Sequence, residues 1–395
     1  MEVTIERLGR DGDGIAGGLR LPFALPGERW EVGDGATLLA AAPERVAAPC
    51  PHFGACGGCA LQHAADGFVA GWKAGTIVRA LAAQGIAAPV RPTATSPARS
   101  RRRAVFAGRR TRKGAMVGFF GRRSEALVEV PGCLVVRPEI DAARPVLAAL
   151  TARGASRSGT LRLTVTHGPA GLDVAVAGGK PLDAGLRQGL AGIADEGDLA
   201  RLAWAGEILA LRRPPVQPMG RALVVPPPGA FLQATAEGAD ALVAAVGEAT
   251  RGAARVADLF AGCGTLALPL AGRAAVRAVE GDAAMVAALD AARRTPGLRP
   301  VAAEARDLFR RPLLARELDA FEAVAIDPPR AGAEAQSREI ARSRVPRVAA
   351  VSCYPATFAR DARILVDGGF RLDWVQPVDQ FRWSGHVELA AGFSR

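Results

Sequence analysis

Apolar strands alternate with helical segments along the C-terminal half of the chain. Runs of consecutive apolar residues, each long enough for a buried strand, are separated by stretches with apolar positions at helical spacing. The runs lie at 255–260, 275–279, near Val301, at 321–326 and at 347–351. This alternation is typical of a doubly wound α/β domain with a mostly parallel sheet. The proline-rich stretch that precedes it, from Pro214 to Pro228, predicts a domain boundary.

The first half of the chain has shorter elements and more turn residues. Residues 1–48 predict short β-strands joined by glycine turns, arranged as a small β-barrel, and residues 66–85 predict a helix. Residues 99–123 predict a β-hairpin with one apolar and one cationic face, and residues 140–215 predict one helix among further strands. We therefore divide the chain into a small β segment (1–48), a central α+β domain (49–218) and an α/β domain (219–395).

Positive charge is in excess and favours a polyanionic partner. The 395 residues include 50 Lys and Arg against 39 Asp and Glu, which gives a formal charge of +11. Ten basic residues lie within 99–123, with no acid before Glu125, and phosphates of RNA or DNA would neutralise them. A solvated surface hairpin is the alternative. No apolar run reaches the ~20 residues that span a bilayer, and the N-terminus lacks the pattern of a secretory signal, so we expect a cytoplasmic monomer.

Clustered cysteines in such a chain indicate metal binding or catalysis rather than disulfides. Three cysteines share one loop and a fourth follows a proline–glycine turn, namely Cys50, Cys56, Cys59 and Cys133. Four thiolates can hold zinc or a cubane iron–sulfur cluster. His52 and His63 keep a mixed Cys/His zinc site open as well.

A glycine-containing turn predicts a ligand site at the start of the α/β domain. The strand 255–260 runs into Ala261-Gly262-Cys263-Gly264-Thr265, where glycines let a ligand approach the backbone closely. The next strand ends at Glu280, roughly 20 residues after Asp258, where a carboxylate can bind ribose hydroxyls. Asp307 follows a third strand and could face an adenine. The pattern lacks the third glycine of dinucleotide sites and fits a methionine-derived nucleoside better, whereas an ordinary tight turn is the alternative.

A cysteine at the end of a central strand is the candidate nucleophile. Cys353 follows the strand 347–351, at the edge of the sheet where ligands bind in such folds. Buried cysteines are usually inert packing. Here the preceding strand ends in Asp327-Pro328-Pro329-Arg330, and the last strand pair supplies a carboxylate and an imidazole, Glu388 and His386. The combination favours covalent catalysis with Glu388 as the base and His386 as the weaker candidate.

These motifs together resemble the RNA uracil-5 methyltransferases, in their iron–sulfur-containing ribosomal RNA branch. The resemblance covers most of the chain and depends on the order and spacing of five motifs: 228–233 (PGAFLQ), 258–265 (DLFAGCGT), 327–330 (DPPR), 351–357 (VSCYPAT) and 386–388 (HVE). It implies an S-adenosylmethionine-dependent enzyme that methylates carbon 5 of a uridine, with 23S ribosomal RNA as its partner. An RNA cytosine-5 methyltransferase and a non-catalytic iron–sulfur RNA-binding factor are the alternatives.

The resemblance also implies roles for individual residues. Cys353 would add to carbon 6 of the base and Glu388 would accept the proton from carbon 5. The cofactor site would be lined by Gln233, Phe260, Thr265, Glu280, Asp307 and Asp327, and a 4Fe-4S cluster, rather than zinc, would be held by Cys50, Cys56, Cys59 and Cys133. Residues 102–104 and 118–119 would face RNA, and 1–48 would be a reduced TRAM/OB-like barrel. The chain departs from the family at Tyr354, where Asn is usual, and at 382–385, which lacks the usual Pro and Thr.

Overall fold

The N-terminal segment consists of two small sheets. The computed structural model describes residues 1–395. The strands are β1 (Glu2–Thr4), β2 (Arg7–Leu8), β3 (Gly14–Ala16), β4 (Leu19–Leu21), β5 (Arg29–Val32) and β6 (Ala36–Ala40). They pair in the orders β1-β5-β6 and β2-β3-β4. The predicted short strands are present. Between β1 and β2, the Ile5 N–H donates to the Glu28 carbonyl and the Glu6 N–H donates to the Ile15 carbonyl, which links the two sheets. Both sheets contribute to one small apolar cluster of Ile5, Leu21, Ala24 and Trp30. That the segment forms a barrel stays a prediction.

The central domain packs helices on one sheet, in which every neighbouring pair is antiparallel except β12 and β13. Its strands are β8 (Arg103–Thr111), β9 (Gly114–Phe120), β10 (Leu127–Val128), β11 (Thr160–Gly168), β12 (Gly171–Ala177), β13 (Arg201–Trp204) and β14 (Glu207–Leu211), in the order β10-β9-β8-β11-β12-β13-β14. Its helices are α2 (Pro138–Ala142), α3 (Arg144–Gly154) and α4 (Ala184–Glu196). The predicted hairpin is therefore β8–β9. The prediction of a single helix was wrong, because the domain has three. Helices α2 and α3 are short and only one residue separates them, so the sequence pattern does not distinguish them.

The C-terminal domain contains the predicted parallel sheet. Its elements are β15 (Gln217–Met219), β16 (Ala222–Val224), α5 (Ala236–Ala249), β17 (Arg255–Leu259), α6 (Ala267–Leu270), β18 (Ala275–Glu280), α7 (Ala283–Ala292), β19 (Val301–Ala305), α8 (Ala315–Leu318), β20 (Ala323–Ile326), α9 (Glu334–Arg342), β21 (Arg347–Ser352), α10 (Pro355–Asp367), β22 (Arg371–Asp379) and β23 (Glu388–Ser394). The strand order is β19-β18-β17-β20-β21-β23-β22, followed by an edge strand from earlier in the chain. Neighbours from β19 to β21 are parallel, and β23 is antiparallel to both β21 and β22.

That edge strand and one helix lie in the segment that the sequence assigned to the central domain. Helix α1 (Asp66–Ala82) buries Ile77 and Leu81 in the core beneath the C-terminal sheet, and β7 (Ala94–Thr95) pairs in parallel with β22. The predicted central segment, 49–218, thus contains a stretch that packs with the sheet of the C-terminal domain. A strand of two residues is too short to show an alternation of apolar and polar positions, so its pairing with β22 could not be predicted from the sequence.

Both faces of the eight-stranded sheet are covered. Successive residues of β17 point to opposite sides, so Val256 packs with helices α5 to α7 while Ala257 packs with α1, α9 and α10. Such a layered sheet exposes its functional groups at the carboxyl ends of its strands. None of the helices combines the length and apolarity needed to cross a bilayer.

Candidate active site

One cavity at the carboxyl ends of the strands contains every predicted catalytic and cofactor residue. It has a volume of about 440 Å³. The predicted residues among its lining are Gln233, Phe260, Thr265, Glu280, Asp307, Asp327, Cys353 and Glu388. These side chains come from the carboxyl ends of five parallel strands, from the amino end of the antiparallel strand β23 and from the loop before α5. Their convergence follows from the topology, because parallel neighbouring strands end at the same edge.

The turn after β17 has the backbone conformation that the glycines predict. Gly262 and Gly264 have φ of 55° and 99°, and Phe260 has φ of 62°, a left-handed conformation that costs a non-glycine residue energy. A Cβ on Gly264 would lie 2.5 Å from Leu289 Cδ1, so only glycine fits there. The turn therefore stays close to the cavity floor and leaves its amide groups near any ligand.

Two carboxylates beside this turn are held by backbone amides. The Gly262 N–H donates to Glu280 Oε2 at 2.9 Å, and the Asp282 N–H donates to Glu280 Oε1 at 2.9 Å. At the next strand end, Asp307 Oδ1 accepts from the Phe309 N–H at 2.9 Å. These bonds fix both side chains toward the cavity. The rings of Phe260 and Phe309 lie 5.4 Å apart and form an apolar wall between them.

Deeper in the cavity two carboxyl groups are withdrawn from water. Asp258 is fully buried and neither of its oxygens has a hydrogen-bond partner. Burial, with the nearby Asp327, raises the pKa of Asp258 well above its usual range. Burial also raises the pKa of Asp327 to about 7. Carboxyl groups that lack a cationic partner within the protein are suited to a ligand that carries positive charge.

The thiol of Cys353 lies at the boundary between this cavity and a second one. The second cavity, also about 440 Å³, is lined by Cys353 and Arg330 together with parts of the N-terminal segment and α1. Burial, followed by the charges of Glu388 and Asp327, raises the pKa of the Cys353 thiol. The sulfur is thus reachable from two sides, as a nucleophile between a donor and an acceptor must be.

Glu388 belongs to a chain of buried amides that the sequence did not reveal. Gln380 Nε2 donates to Glu388 Oε2 and, at 2.5 Å, to Gln233 Oε1, and Gln233 Nε2 in turn donates to Asp327 Oδ2 at 3.3 Å. Burial, with the charge of Asp327, raises the pKa of Glu388 to about 8, while the Gln380 hydrogen bond lowers it. A base with a pKa near neutrality is matched to proton abstraction. Gln380 follows β22 in a stretch without a recognisable motif.

His386 and Tyr354 lie on the other side of Cys353. Both line the second cavity, and the His386 ring makes no hydrogen bond with Glu388. Burial, followed by the charge of Arg330, lowers the pKa of His386. Tyr354 accepts a hydrogen bond from Arg10 Nη1 at 2.8 Å and lies under the Arg330 guanidinium, 4.7 Å from the ring centre. Tyr354 therefore connects the N-terminal segment to the loop that follows β21.

Fewer basic side chains of the hairpin are free than its sequence predicts. Arg102 Nε donates to the Gln233 carbonyl at 3.1 Å, and Arg103 donates to the carbonyls of Ala230 and Gly229. Six of the ten basic side chains bond to partners within the protein, namely Arg101, Arg102, Arg103, Arg109, Arg122 and Arg123. The sequence could not reveal the partners that lie far along the chain, such as Asp13 for Arg122 and Arg123.

The proposed RNA-facing strand segments also make contacts within the protein. Arg102 and Arg103 lie at the junction with the loop that carries Gln233. Gly118 is buried against β10, where an added Cβ would come 1.9 Å from the Val128 carbonyl oxygen, and the Phe119 ring stacks on Phe106 at 4.7 Å. Arg102, Arg103 and Phe119 remain half-exposed, and that they face RNA stays a prediction.

The four candidate metal ligands line one cavity. Cys50, Cys56, Cys59 and Cys133 surround a space of about 240 Å³ next to Arg101 and Phe119. All four are free thiols, and burial, with the neighbouring thiols, raises the pKa of Cys59 to about 12. No three His, Cys, Asp or Glu side chains lie in an arrangement that would hold a single metal ion. His52 lines the same cavity and its Nε2 donates to the Pro131 carbonyl at 3.0 Å, whereas His63 is buried and does not line the cavity.

Curated proteins of similar sequence match this chain over nearly its whole length. No protein-family model matches the sequence. An uncharacterized RNA methyltransferase of Brucella suis is 45% identical over 99% of this chain and 97% of the relative. The 23S rRNA (uracil(1939)-C(5))-methyltransferase RlmD of Chromohalobacter salexigens is 35% identical over 98% of this chain and 87% of the relative.

A solved structure shows the same fold. The tRNA (uracil-54, C5)-methyltransferase of Pyrococcus abyssi, in complex with S-adenosyl-L-homocysteine, superposes with a TM-score of 0.78 and 22% identity. The match covers 100% of this chain and 99% of that one. The sequence identities and the shared architecture together place the chain: it is an RNA methyltransferase of the family that includes the uracil-C5 methyltransferases.

Proposed function

We propose that this enzyme methylates carbon 5 of a uridine in 23S ribosomal RNA, with Cys353 as the nucleophile and Glu388 as the proton acceptor. The observation that carries the proposal is that both side chains line the acidic cavity at the strand ends. The ribosomal substrate comes from the RlmD relative. Amine methylation is disfavoured, because it needs no thiol and the residue after Asp327-Pro328-Pro329 is Arg330 rather than an aromatic.

S-adenosylmethionine fits the acidic cavity as the methyl donor. It supplies a methyl group on a positively charged sulfur. Asp258 is a buried carboxyl group without a partner and can accept hydrogen bonds from the donor's ammonium group. Glu280 is placed for the ribose hydroxyls, and the wall of Phe260 and Phe309 suits the adenine.

The chemistry requires the thiol and the carboxylate in sequence. Carbon 5 of uracil is a weak nucleophile, so the Cys353 thiolate adds to carbon 6 and moves the electron pair of the ring double bond toward carbon 5 and the carbonyl oxygen. Carbon 5 then takes the methyl group. Glu388 removes the proton that remains on carbon 5, and the electrons of that C–H bond re-form the double bond as the thiolate leaves carbon 6. The base must be flipped out of RNA structure to reach Cys353.

A trapping experiment tests both roles. With Glu388→Gln, addition and methyl transfer can occur but elimination cannot, so a covalent protein–RNA adduct should survive denaturing electrophoresis after incubation with unmodified ribosomal RNA and donor. The double variant Cys353→Ala, Glu388→Gln is the matched control and should form no adduct. Adduct formation by the double variant, or turnover by Cys353→Ala alone, contradicts the mechanism. Nucleoside mass spectrometry of the wild-type product should show 5-methyluridine, and 5-methylcytidine in its place would identify a cytosine enzyme.

We also propose that the four cysteines hold a 4Fe-4S cluster. The donor set is four thiols around one cavity. Around one zinc ion, Zn–S bonds of ~2.3 Å would bring the sulfurs within about 4 Å of one another, whereas a cubane binds each thiolate at a different iron and separates them more widely. The cluster would join the 49–63 loop to the β9–β10 edge of the central sheet. Anaerobically purified protein should contain about four irons per chain and little zinc, and Cys59→Ser should lose the iron; a stoichiometric zinc content would refute this assignment.

A further inference from the structure

Three cationic side chains without partners lie beside Cys353, away from the hairpin. Arg7, Arg79 and Arg330 are exposed. They form no ion pair, and their side chains have no hydrogen-bond partner in the protein. The second cavity beside Cys353 is lined by all of them. A further cavity of about 670 Å³ adjoins it and shares Arg7, Leu8, Trp72 and Arg79.

The two joined cavities form one groove, which we call the helix groove. It lies between β2 and helix α1, starts at Phe68 and ends at Cys353. Its charged side chains are Arg7, Arg10, Arg79 and Arg330 against Glu6 and Asp11, so the groove has an excess of positive charge. Such a groove concentrates an anionic ligand along the path to the nucleophile.

Helix α1 contributes two aromatic side chains and two glycines to this groove. Phe68 and Trp72 lie one turn apart on the helix and both are partly exposed. Trp72 Nε1 is shielded from solvent yet has no hydrogen-bond partner. Gly67 and Gly71, which directly precede Phe68 and Trp72, leave space, because an added Cβ at either position would meet no atom within 4 Å. Glycine inside a helix costs about 1 kcal/mol relative to alanine, and here it widens the groove.

We propose that single-stranded RNA next to the target base runs through the helix groove, with its phosphates on Arg7 and Arg79 and a base against Trp72. Free guanidinium groups along a groove that also offers aromatic surfaces are the combination that binds single strands without base pairing. The groove leads to the thiol from the side opposite the donor cavity, so the strand and the donor do not compete for space. The proposal rests on the proposed function in one respect only, namely that the base at the end of the groove is the one that Cys353 attacks.

The test measures RNA binding rather than methyl transfer. Fluorescence anisotropy with a labelled oligouridylate of about 12 nucleotides, at several salt concentrations, gives the affinity and its salt dependence. Arg79→Gln should lower the slope of log K against log salt by about 0.7, the contribution of one phosphate contact on a single strand. Gly71→Leu should weaken binding at least tenfold by filling the groove.

Two matched variants make the result decisive. Gly192, in α4, is also an exposed helix glycine whose added Cβ would meet nothing within 4 Å, so Gly192→Leu should bind RNA like the wild type. Arg112→Gln removes a free charge at the hairpin tip and should leave the slope unchanged. If Arg112→Gln lowers the slope while Arg79→Gln does not, or if neither Arg79→Gln nor Gly71→Leu alters binding, the helix groove is not the RNA path. Because the readout needs no turnover, failure of the groove and failure of the methylation proposal give different results.

Discussion

The hydrogen bond from Gln380 to Glu388 should set the pH at which the enzyme works. Gln380→Met keeps the side-chain volume and removes the N–H donor. A hydrogen bond to a charged group contributes about 1.5–3 kcal/mol, which corresponds to ~1–2 pH units in a pKa. The pKa of Glu388, raised by burial to about 8, should therefore rise further in the variant. Near neutral pH the ionised fraction of the base then falls by about tenfold to a hundredfold.

The rate of adduct breakdown measures this directly. Single-turnover reactions with RNA and donor, followed between pH 6 and 10, should show elimination that rises with pH to a midpoint near the pKa of Glu388. The other ionisable groups that face Glu388 are Asp327 and Cys353, so their titration belongs to the same profile. In Gln380→Met the midpoint should move to higher pH while the rate at high pH approaches the wild-type value.

Gln376→Met is the control for a general loss of packing. Gln376 lies on β22, the strand that precedes Gln380, and donates to the Pro92 carbonyl at 2.7 Å, away from the cavity. It should leave the pH midpoint unchanged. A rate in Gln380→Met that falls equally at every pH, with the midpoint unmoved, would mean that Gln380 only holds the loop. A change confined to the donor KM would mean that it acts through Gln233 instead.

Three further outcomes follow from the same contacts. Gly264→Ala should abolish donor binding and lower the melting temperature, because its Cβ would lie 2.5 Å from Leu289 Cδ1; calorimetry with S-adenosylmethionine checks this. Lys73→Met should lower the free energy of unfolding in urea by about 3–5 kcal/mol, because it leaves Asp379 buried without the ammonium group 2.6 Å away. The contribution of Glu388 to stability should fall as pH rises from about 4.5 to about 8, since the folded state holds the Glu388 proton more tightly than the unfolded chain; the melting temperature of the wild type should therefore fall relative to that of Glu388→Gln over this range in a series of thermal melts.

The site was predictable from sequence where function depends on strand ends. Glu280, Asp327 and Cys353 each follow a short apolar run, and in a parallel sheet that position alone brings side chains together. The glycine turn was readable for the same reason. These predictions about location agree with the structure, because a buried strand needs a run of apolar residues that can be recognised in the sequence without knowledge of its tertiary neighbours.

What depends on distant partners was not predictable. The hairpin arginines looked like a phosphate-binding surface, yet Arg102 and Arg103 bond to carbonyls about 130 positions away along the chain. Gln380 carries no motif, and its role exists only because β22 returns beside the loop that bears Gln233. The sequence gives the charge and the hydrogen-bonding groups of a side chain, whereas the fold determines which partner those groups contact.

The acidity of the donor cavity makes physical sense in a protein with a net positive charge. Asp258, Asp327 and Glu388 are all buried with raised pKa values, and Arg330, which is exposed, is the single basic residue among the cavity's lining. Burying such carboxyl groups costs stability unless a cation compensates them. The proposed donor brings positive charge at its sulfur and its amine, so it would restore the ionised forms of these groups. The carboxylate that takes the proton would then be generated where the methyl group is present, and the positive potential outside the cavity would be left to attract RNA.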